Sequence, residues 1–542
     1  MDDAELRALF PSETDLAGGA SPVVNPVHQR RTLVGGELVP WTGRTVPVLS
    51  AICARHADGR LRQLEIGSYP SGGAVEAASA LNAAVAAYDQ GRGSWPTMTA
   101  GERIGCMQEF VSRMARHRAA IAELLMFEIG KSRADSEKEF DRTIDYIRAT
   151  IEALKALDNE NSRFHLVEGT IGQIRRTPLG VVLCMGPYNY PLNETFATLI
   201  PALIMGNTVL LKPPRFGALI FDVLLDAFQA AFPKGVANMV YGPGSEVVPL
   251  LLESGQVNAL TLIGSSRVAD HLKKLHPKVN RLRAILGLDA KNAAIVLPDA
   301  DIELAVRECL LGALSFNGQR CTALKMLIVH EQIVETFTRR FVQELEKLML
   351  GMPWHEGVSI TPLPDLNKVQ YMADLLADAK AHGAQILNRR GGASAGTLFY
   401  PAVVYPVTEA MKLYREEQFG PIVPIMPFAD IETALDYVVT SDHGQQVSIF
   451  TSSPDEVGRL VDPLVNQVCR VNINCQCQRG PDVFPFTGRK DSAEGTLSVT
   501  DALRSFSIRS MIAAKQTEAS KALLRDVVQQ RRSKFVSTDF LF

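Results

Sequence analysis

The sequence lacks the features that mark a disulfide-stabilised or membrane-spanning protein. Eight cysteines are scattered through 542 residues without any Cys-x-x-Cys pair, so a disulfide framework is not expected and a reducing compartment fits better. The most apolar stretch, 196–211, is broken by a proline, a glycine and an asparagine, which argues against a bilayer-spanning helix. The chain opens on acidic rather than apolar residues, so we expect no secretory signal and a cytoplasmic protein.

An excess of charge of one sign is also missing. The chain has 56 lysines and arginines against 59 aspartates and glutamates, a net charge of −3, so we expect neither a nucleic-acid nor a membrane partner. Hydrophobic residues make up 46% of the sequence, which is typical of a globular protein with a large buried core. No GxGxxG or Walker A sequence occurs, so the usual nucleotide-binding fingerprints are absent.

What the sequence does contain is two series of alternating strands and helices. After a long amphipathic helix at 134–157, short apolar runs alternate with helical segments from 181 to 275. A second series begins near 293, which sets a boundary near 290. This alternation predicts two α/β domains with doubly wound parallel sheets. Residues 1–30 show little periodicity, and we expect them to wrap on the surface or to be partly disordered.

The first candidate for chemistry is Cys321, which lies in a turn between a predicted helix and a predicted strand. Arg320 precedes it, and a neighbouring cation favours the nucleophilic thiolate. The alternative is a buried structural cysteine, which is the usual state of a cysteine chosen on composition alone. Cys184 and Cys309 lie within apolar runs and are assigned to the core.

Polar residues also follow two strands of the first series. Asn189 comes after the strand 181–184, where ligands of doubly wound sheets bind, and its amide can donate to an oxyanion. Lys212 and Arg215 follow the strand 208–211 and can hold a phosphate. Taken alone, the first segment is better explained as a turn, and the second is equally well explained as a solvated loop.

A third polar segment opens a helix after the strand 261–263. Gly264, Ser265 and Ser266 would present free backbone N–H groups at the helix N-terminus, and such groups suit a pyrophosphate. Each of these signals is weak by itself, and their order and spacing carry more weight.

Taken in order, these motifs resemble those of the aldehyde dehydrogenase superfamily over about residues 30–512. The similar segments are 186–191, 211–214, 264–266, 318–322, 416–421 and 484–488. Within the superfamily, segments 189–193, 212–214 and 478–480 are most similar to the non-phosphorylating, NADP-dependent glyceraldehyde-3-phosphate dehydrogenases.

The resemblance implies two Rossmann-like α/β domains and a small β arm for oligomerisation. The expected divisions are an N-terminal extension 1–30, an NADP-binding domain 31–160 and 178–289, a catalytic domain 290–490, an arm 161–177 and 491–515, and a C-terminal tail 516–542. An exposed strand edge in the arm implies a homodimer or homotetramer.

The resemblance also implies a catalytic mechanism. Cys321 matches the nucleophile that attacks the aldehyde, and hydride loss from the resulting thiohemiacetal leaves a thioester. Asn189 and the backbone N–H of Cys321 match the oxyanion hole.

For the cofactor, Lys212 matches the residue at the adenosine ribose, and Ser266 lies where the helix meets the pyrophosphate. Glu417 and Phe419 match the residues beside the nicotinamide ribose.

One position bears on the choice between NADP and NAD. NAD-preferring relatives often place a glutamate three residues after the lysine, where this chain has Arg215. A carboxylate there repels a 2′-phosphate, whereas a guanidinium attracts it. We therefore expect NADP, with NAD less favoured.

Four further positions match the substrate-phosphate site of the glyceraldehyde-3-phosphate enzymes. These are Arg142, Tyr190, Arg320 and Arg479, and each has the required residue type. A site of this kind binds a phosphorylated aldehyde and rejects plain alkyl aldehydes. The expected substrate is glyceraldehyde 3-phosphate, and another phosphorylated or acidic aldehyde is the alternative.

The main departure from the family pattern is at Gly287, where relatives carry the glutamate that activates water for thioester hydrolysis. Acylation of Cys321 does not need this base, but deacylation does. Asp289 is too short to be an obvious substitute. The alternatives are therefore acyl transfer to a thiol such as coenzyme A, or a nucleotide-binding paralogue that has lost turnover. The single Cys-x-Cys pair at 475 and 477 does not predict a metal site.

Overall fold

The computed structural model describes residues 3–539 and 541. Its N-terminal part forms short elements: α1 (Asp3–Ala8), α2 (Glu13–Ala17), β1 (Val27–His28), β2 (Arg31–Val34), β3 (Glu37–Pro40), β4 (Thr45–Arg55) and β5 (Leu61–Pro70). Two apolar residues anchor the first helix, because Leu6 and Phe10 are each only 1% exposed. Of the two states expected for the extension, wrapped on the surface or partly disordered, the described residues show the first.

Four helices and a hairpin follow. They are α3 (Ala74–Tyr88), α4 (Ala100–Ala115), α5 (Arg118–Ile129), α6 (Arg133–Asn161), β6 (Phe164–Val167) and β7 (Thr170–Pro178). The long helix α6 begins at Ser132, whose hydroxyl accepts from the N–H of Asp135 at 3.1 Å. It buries an apolar stripe at three- and four-residue spacing, and it packs against the helix at 193–204.

The first sheet domain contains five parallel strands. Its elements are β8 (Val181–Met185), α7 (Asn193–Ile204), β9 (Thr208–Lys212), α8 (Ile220–Ala231), β10 (Ala237–Met239), α9 (Gly244–Glu253), β11 (Ala259–Ile263), α10 (Ser266–Leu275) and β12 (Arg283–Gly287). The spatial order is β10-β9-β8-β11-β12. Met185 pairs with Lys212, and Ile263 pairs with Gly287, so the carboxyl ends of these strands meet at one edge.

The second sheet domain is built around a seven-stranded sheet. Its elements are β13 (Ala293–Val296), α11 (Ile302–Leu314), β14 (Met326–His330), α12 (Glu331–Leu345), α13 (Leu366–Ala381), β15 (Gln385–Ile386), β16 (Ser394–Ala395), β17 (Leu398–Phe399), β18 (Ala402–Tyr405), α14 (Lys412–Arg415), β19 (Ile422–Phe428), α15 (Ile431–Thr440), β20 (His443–Gly444), β21 (Gln446–Phe450), α16 (Pro454–Leu464) and β22 (Arg470–Ile473). The order is β15-β18-β19-β14-β13-β21-β22, with β15 alone antiparallel to its neighbour. The two predicted α/β series are thus both present.

The last elements return to earlier parts of the fold. They are β23 (Arg489–Lys490), β24 (Ala493–Glu494), α17 (Val499–Ser505), β25 (Ser507–Lys515) and α18 (Glu518–Gln529). Strand β24 joins the first sheet beside β12, and α17 packs on α6 and α7. The arm consists of β6, β7 and β25, so residues 491–505, which we expected in the arm, belong to the first domain instead.

Within the described part of the chain, no helix combines the length and the apolar character needed to cross a bilayer.

Candidate active site

A strained turn leads into Cys321. Phe316, Asn317 and Gly318 have φ values of +49°, +56° and +71°, all in the left-handed region. A Cβ on Gly318 would lie 2.7 Å from two backbone carbonyl oxygens, so only glycine fits there. Asn317 fixes the turn through its side chain, which donates to Thr361 O at 3.0 Å and accepts from Thr361 N at 3.0 Å. The turn is therefore held in one conformation by its surroundings.

Cys321 is a free, half-buried thiol whose backbone is fixed from two sides. Its carbonyl oxygen accepts from Asn292 Nδ2 at 2.8 Å and from Lys325 Nζ at 3.0 Å. Its N–H has no backbone acceptor in the described part of the chain. The thiol and a free backbone donor are thus presented together.

The charges around Cys321 oppose each other. Burial raises the pKa of the Cys321 thiol, and the negative charges of Glu194 and Glu417 add to this increase. The positive charges of Lys325 and Arg479 act in the opposite direction but do not overcome it. The thiolate therefore forms less readily than that of an exposed cysteine.

Arg320 does not supply the cation that we expected beside the thiol. Its Nη2 donates to the carbonyl oxygens of Gly312 at 2.8 Å and Leu311 at 3.3 Å, at the end of α11. A helix C-terminus attracts a guanidinium, which explains this orientation. The prediction that Arg320 favours the Cys321 thiolate is therefore wrong. Its Nε is buried without an acceptor among the residues described.

Asn189 joins the end of the first sheet to the Cys321 turn. Its Nδ2 donates to the carbonyl oxygen of Gln319 at 2.8 Å, and Lys131 Nζ donates to its backbone oxygen at 2.7 Å. Tyr188 adds a hydrogen bond of 3.1 Å to Gln319 Oε1. An amide nitrogen carries two hydrogens, so one Asn189 donor stays available. Together with the Cys321 N–H it forms a pair of donors suited to an oxyanion.

Two of the predicted substrate arginines meet at one carboxylate. Arg142 on α6 donates to Asp482 through Nε at 3.0 Å and Nη2 at 2.7 Å, and Arg479 Nε donates to the same carboxylate at 3.2 Å. Burial acts to raise the pKa of Asp482, but the hydrogen bonds and charges of the two arginines lower it overall. Arg142 and Arg479 are therefore already paired.

A second carboxylate, Glu194 in the first turn of α7, contacts Arg479 Nη1. The remaining nitrogen of Arg479, Nη2, donates to the carbonyl oxygen of Leu497 at 3.2 Å. The ring centroid of Tyr190 is 3.6 Å from Lys131 Nζ. Burial raises the pKa of the Tyr190 hydroxyl, and the positive charges of Arg320 and Arg142 oppose this increase. Arg142 and Arg479 thus meet at one carboxylate, and Tyr190 lies within reach of the charges of Arg142 and Arg320.

The sequence motifs did not single out Glu194 or Asp482, the two acidic residues of this region. Glu194 follows Asn189 by five positions, and Asp482 follows Arg479 by three, so each lies close to a recognised residue. Neither spacing specifies a contact, because Glu194 and Arg479 are 285 positions apart. The signal available in the sequence was an acidic residue close to a motif that is expected to bind an anion.

At the cofactor end, two cations have few protein partners. Lys212 ends β9, and its Nζ donates to the carbonyl oxygen of Pro213 at 3.3 Å, while burial lowers its pKa. Arg215 is exposed, and its guanidinium lies 5.0 Å from the ring centroid of Phe216. Both cations lie at the carboxyl edge of the first sheet.

The N-terminus of α10 is occupied by a carboxylate of the protein itself. Ser266 donates to Asp289 Oδ2 through its N–H and through its hydroxyl, each at 2.8 Å. Ser265 caps the helix by accepting from the N–H of Val268 at 3.4 Å. The expectation of free N–H groups here is therefore wrong for Ser266, because the helix N-terminus attracts the nearby Asp289. Gly264 donates its N–H to Gly287 O at 3.0 Å.

Glu417 and Phe419 lie on the side of the second sheet. Glu417 Oε1 accepts from Lys325 Nζ at 2.5 Å and from the N–H of Ala290 at 3.2 Å. The Phe419 ring centroid is 5.9 Å from that of Tyr188, in an edge-on arrangement. Because Lys325 contacts both Glu417 and Cys321 O, it couples the two predicted sites, and it was not recognised from the sequence.

Gly287 ends β12 with a backbone that other residues can adopt. Its φ lies outside the left-handed region, and a Cβ there would be 3.3 Å from Leu497 Cδ1 and 3.6 Å from Ile263 Cγ1. A shift of a few tenths of an ångström in the Leu497 side chain would admit a Cβ. The absence of a carboxylate at 287 is therefore not imposed by the backbone.

Comparison with known proteins gives consistent matches. The model of the aldehyde dehydrogenase family matches residues 60–512. The NADP-dependent glyceraldehyde-3-phosphate dehydrogenase of Streptococcus equinus is 32% identical over 84% of this chain and 93% of its own length. The enzyme of the same name from Pisum sativum is 31% identical over 76% of this chain and 82% of its own.

A solved structure is also similar to this chain. The NADP-dependent glyceraldehyde-3-phosphate dehydrogenase from Bacillus halodurans C-125, complexed with NADP, superposes with a TM-score of 0.82 at 30% identity. The match covers 91% of this chain and 100% of that one.

Proposed function

Because the chain belongs to the aldehyde dehydrogenase family, we propose that it oxidises an aldehyde that carries an anionic group, with Cys321 as nucleophile and NADP as hydride acceptor. The membership confirms the family and the fold that the motifs predicted. One observation carries the proposed activity: the half-buried thiol of Cys321 lies with its own free N–H beside Asn189, whose amide is held by Gln319.

The residues at the cofactor end fit NADP with one exception. An ammonium group has three donors, and Lys212 uses a single long contact of 3.3 Å, so it can bind ribose hydroxyls. The exposed guanidinium of Arg215 suits a 2′-phosphate. Ser266, by contrast, is engaged by Asp289, whose carboxylate must leave before a diphosphate can use that helix end. The relatives named above as NADP-dependent support the same choice.

In the proposed reaction, deprotonated Cys321 bonds to the aldehyde carbon, and the carbonyl oxygen becomes an oxyanion. Asn189 Nδ2 and the Cys321 N–H donate to that oxyanion. Bound NADP supplies the acceptor for the hydride that leaves the same carbon. The acyl group then remains on Cys321 Sγ as a thioester, and water must cleave this bond to release the acid and the thiol.

Cleavage of the thioester is the step for which the family resemblance implies a base at position 287. Position 287 is glycine, and Asp289 is bound to Ser266. We therefore propose rapid acylation and slow hydrolysis. Transfer of the acyl group to an external thiol, such as coenzyme A, is the second candidate outcome, because it needs no base at position 287.

For the substrate, we propose glyceraldehyde 3-phosphate, after which the relatives are named. Arg142, Tyr190, Arg320 and Arg479 would surround its phosphate. A comparison of glyceraldehyde 3-phosphate with acetaldehyde tests this assignment, through the rate of NADPH formation per unit of substrate. We expect strong preference for the phosphorylated aldehyde, and equal use of the two would contradict the assignment.

The cofactor choice has a separate test. Calorimetry should show tighter binding of NADP than of NAD, and Arg215→Glu should shift the preference toward NAD, because a carboxylate repels the 2′-phosphate. Equal binding of both cofactors by the unmodified protein would contradict the role of Arg215.

We also propose assembly into a homodimer or homotetramer through the arm. Strand β25 lies at an edge of the arm sheet and exposes Ile508 and Met511, which are 52% and 55% exposed. Analytical ultracentrifugation tests this, and a monomer would contradict it. All eight cysteines are free in the structure, so we assign the enzyme to a reducing compartment such as the cytoplasm.

A further inference from the structure

Glu194 is a buried carboxylate in the region proposed for the substrate's anionic group. It contacts Arg479, and the side chains of the two residues are 7% and 4% exposed. Arg479 in turn contacts Asp482, which also binds Arg142. Cations and anions therefore alternate along one row of four side chains that reaches from α6 to α7.

The row leaves little uncompensated positive charge. Within the row, the two positive charges of Arg142 and Arg479 are balanced by the two negative charges of Glu194 and Asp482. Buried charges are stable only when they are paired, and here the two arginines of the row have internal partners. Arg320, outside the row, keeps a buried Nε without an acceptor within the described chain. One net positive charge and one unused donor thus remain for a ligand.

Glu194 also lies against the segment that carries Asn189, because its N–H donates to the carbonyl oxygen of Tyr190 at 3.1 Å. Its charge adds to the increase in the pKa of Cys321. Its other charged or titratable neighbours lie on α6, on the turn before α6 and on the segment before β23. They are Lys131, Arg142, Tyr146, Arg479 and Asp482. An anionic group that binds Arg479 therefore lies beside the Glu194 carboxylate.

We propose that Glu194 makes this pocket selective for aldehydes whose distal group carries a single negative charge. The proposal deepens the proposed function, since it concerns which anionic aldehyde the same site accepts. Sulfonates, carboxylates and singly protonated phosphates have this charge. A phosphate dianion adds a second negative charge beside Glu194, where the low dielectric strengthens the repulsion.

Phosphate itself allows a test within one substrate. Its second pKa is about 6, so the dianion replaces the monoanion as pH rises through this value. A sulfonate keeps one negative charge throughout. The phosphate-to-sulfonate comparison therefore follows the second ionisation of the substrate phosphate.

The experiment measures single-turnover NADPH formation with two three-carbon hydroxyaldehydes, glyceraldehyde 3-phosphate and its 3-sulfonate analogue, from pH 5.5 to 8. Rates are taken below saturation and expressed as the ratio of phosphate to sulfonate. The ratio cancels ionisation of Cys321, which affects both substrates alike, and the comparison with Glu194→Gln at pH 8 tests the role of Glu194 at one fixed pH. We expect the ratio to fall as pH rises. A ratio that rises with pH or stays constant would overturn the proposal.

Glu194→Gln removes the charge and keeps an oxygen that can accept from Arg479. At pH 8 we expect the phosphate-to-sulfonate ratio of this variant to be about tenfold above that of the unmodified protein. Glu253→Gln is the matched control, because Glu253 is exposed at the end of α9, and it should leave the ratio unchanged. An unchanged ratio in Glu194→Gln would also overturn the proposal.

These outcomes are separable from failure of the proposed function. If no aldehyde yields NADPH, the proposed oxidation is wrong, whereas NADPH from both substrates with the wrong ratio rejects only the role of Glu194. Should Glu194→Gln fail to fold, as thermal unfolding would reveal, the pH dependence of the unmodified protein still decides.

Discussion

The two sheet domains contribute unequally to the candidate site. On the side of the second sheet, the Cys321 turn has its backbone fixed by Asn292 and Lys325, and the carbonyl oxygen of Gln319 in this turn accepts from Asn189. On the side of the first sheet, the segment 287–289 has a glycine where the family resemblance implies a base, and an aspartate bound to Ser266. Under the proposed mechanism, the residues for acylation are present, whereas those for deacylation and for the cofactor diphosphate are altered.

In the proposed mechanism, acylation and deacylation depend on separate residues. Acylation needs a nucleophile and donors for the oxyanion, all of which lie near the turn. Deacylation additionally needs a base for water, which comes from a strand end of the other sheet. One side can therefore change while the other keeps its geometry.

Removal of the nucleophile should have the largest effect. Cys321→Ala should form no NADPH and no acyl adduct with any aldehyde, because no other group takes the thiol's place, while calorimetry should still show NADP binding. Cys475→Ala is the matched control, since Cys475 is a half-buried free cysteine on another loop. An NADPH burst from Cys321→Ala would show that Cys321 is not the nucleophile.

Restoring the base should have the next largest effect. Gly287→Glu should accelerate the slow phase of NADPH formation by about 10²–10⁴-fold, the usual contribution of a general base. The burst amplitude should stay the same. The backbone admits the side chain after a small movement of Leu497, whose Cδ1 would be 3.3 Å from the new Cβ.

Gly287→Gln separates the base from the bulk of the side chain, because glutamine has the same shape without a basic carboxylate. We expect this variant to turn over as slowly as the unmodified protein. If both variants were equally fast, the acceleration would come from packing and not from base catalysis.

A smaller effect is expected at the diphosphate position. Asp289→Asn removes a charge that competes for the N-terminus of α10, and such interactions are worth about 0.3–2 kcal/mol, so NADP should bind about two- to thirtyfold more tightly. Calorimetry without aldehyde measures this. Asp270→Asn is the control, as Asp270 is exposed on the same helix. Unchanged or weaker binding by Asp289→Asn would mean that Asp289 does not obstruct the cofactor.

The sequence predicted much of the fold because its strands and helices follow local rules. Short apolar runs alternate with amphipathic segments, and the motif order of one family fixes the arrangement of both sheets. The placement of β24 and α17 in the first domain could not be predicted, because residues 491–505 contain no signal that distinguishes an arm strand from a strand at the sheet edge.

For the site, the sequence indicated residue types at strand ends but not their partners. Cys321 and Asn189 were named because both lie in family motifs. In the structure, Asn189 donates to Gln319, two residues before Cys321. The ion pair of Glu194 with Arg479 and the contact of Asp289 with Ser266 depend on side-chain directions in the folded chain. The orientation of Arg320 toward α11 likewise follows from packing and not from its position before Cys321.

The most direct test of the account is a rapid-mixing measurement on the unmodified protein with NADP and glyceraldehyde 3-phosphate. It records NADPH by absorbance, and mass spectrometry identifies adducts on Cys321 after the first turnover. The account predicts a burst of about one NADPH per active site, an acyl group on Cys321 and slow turnover afterwards. Fast, linear NADPH formation without a burst or an adduct would contradict it.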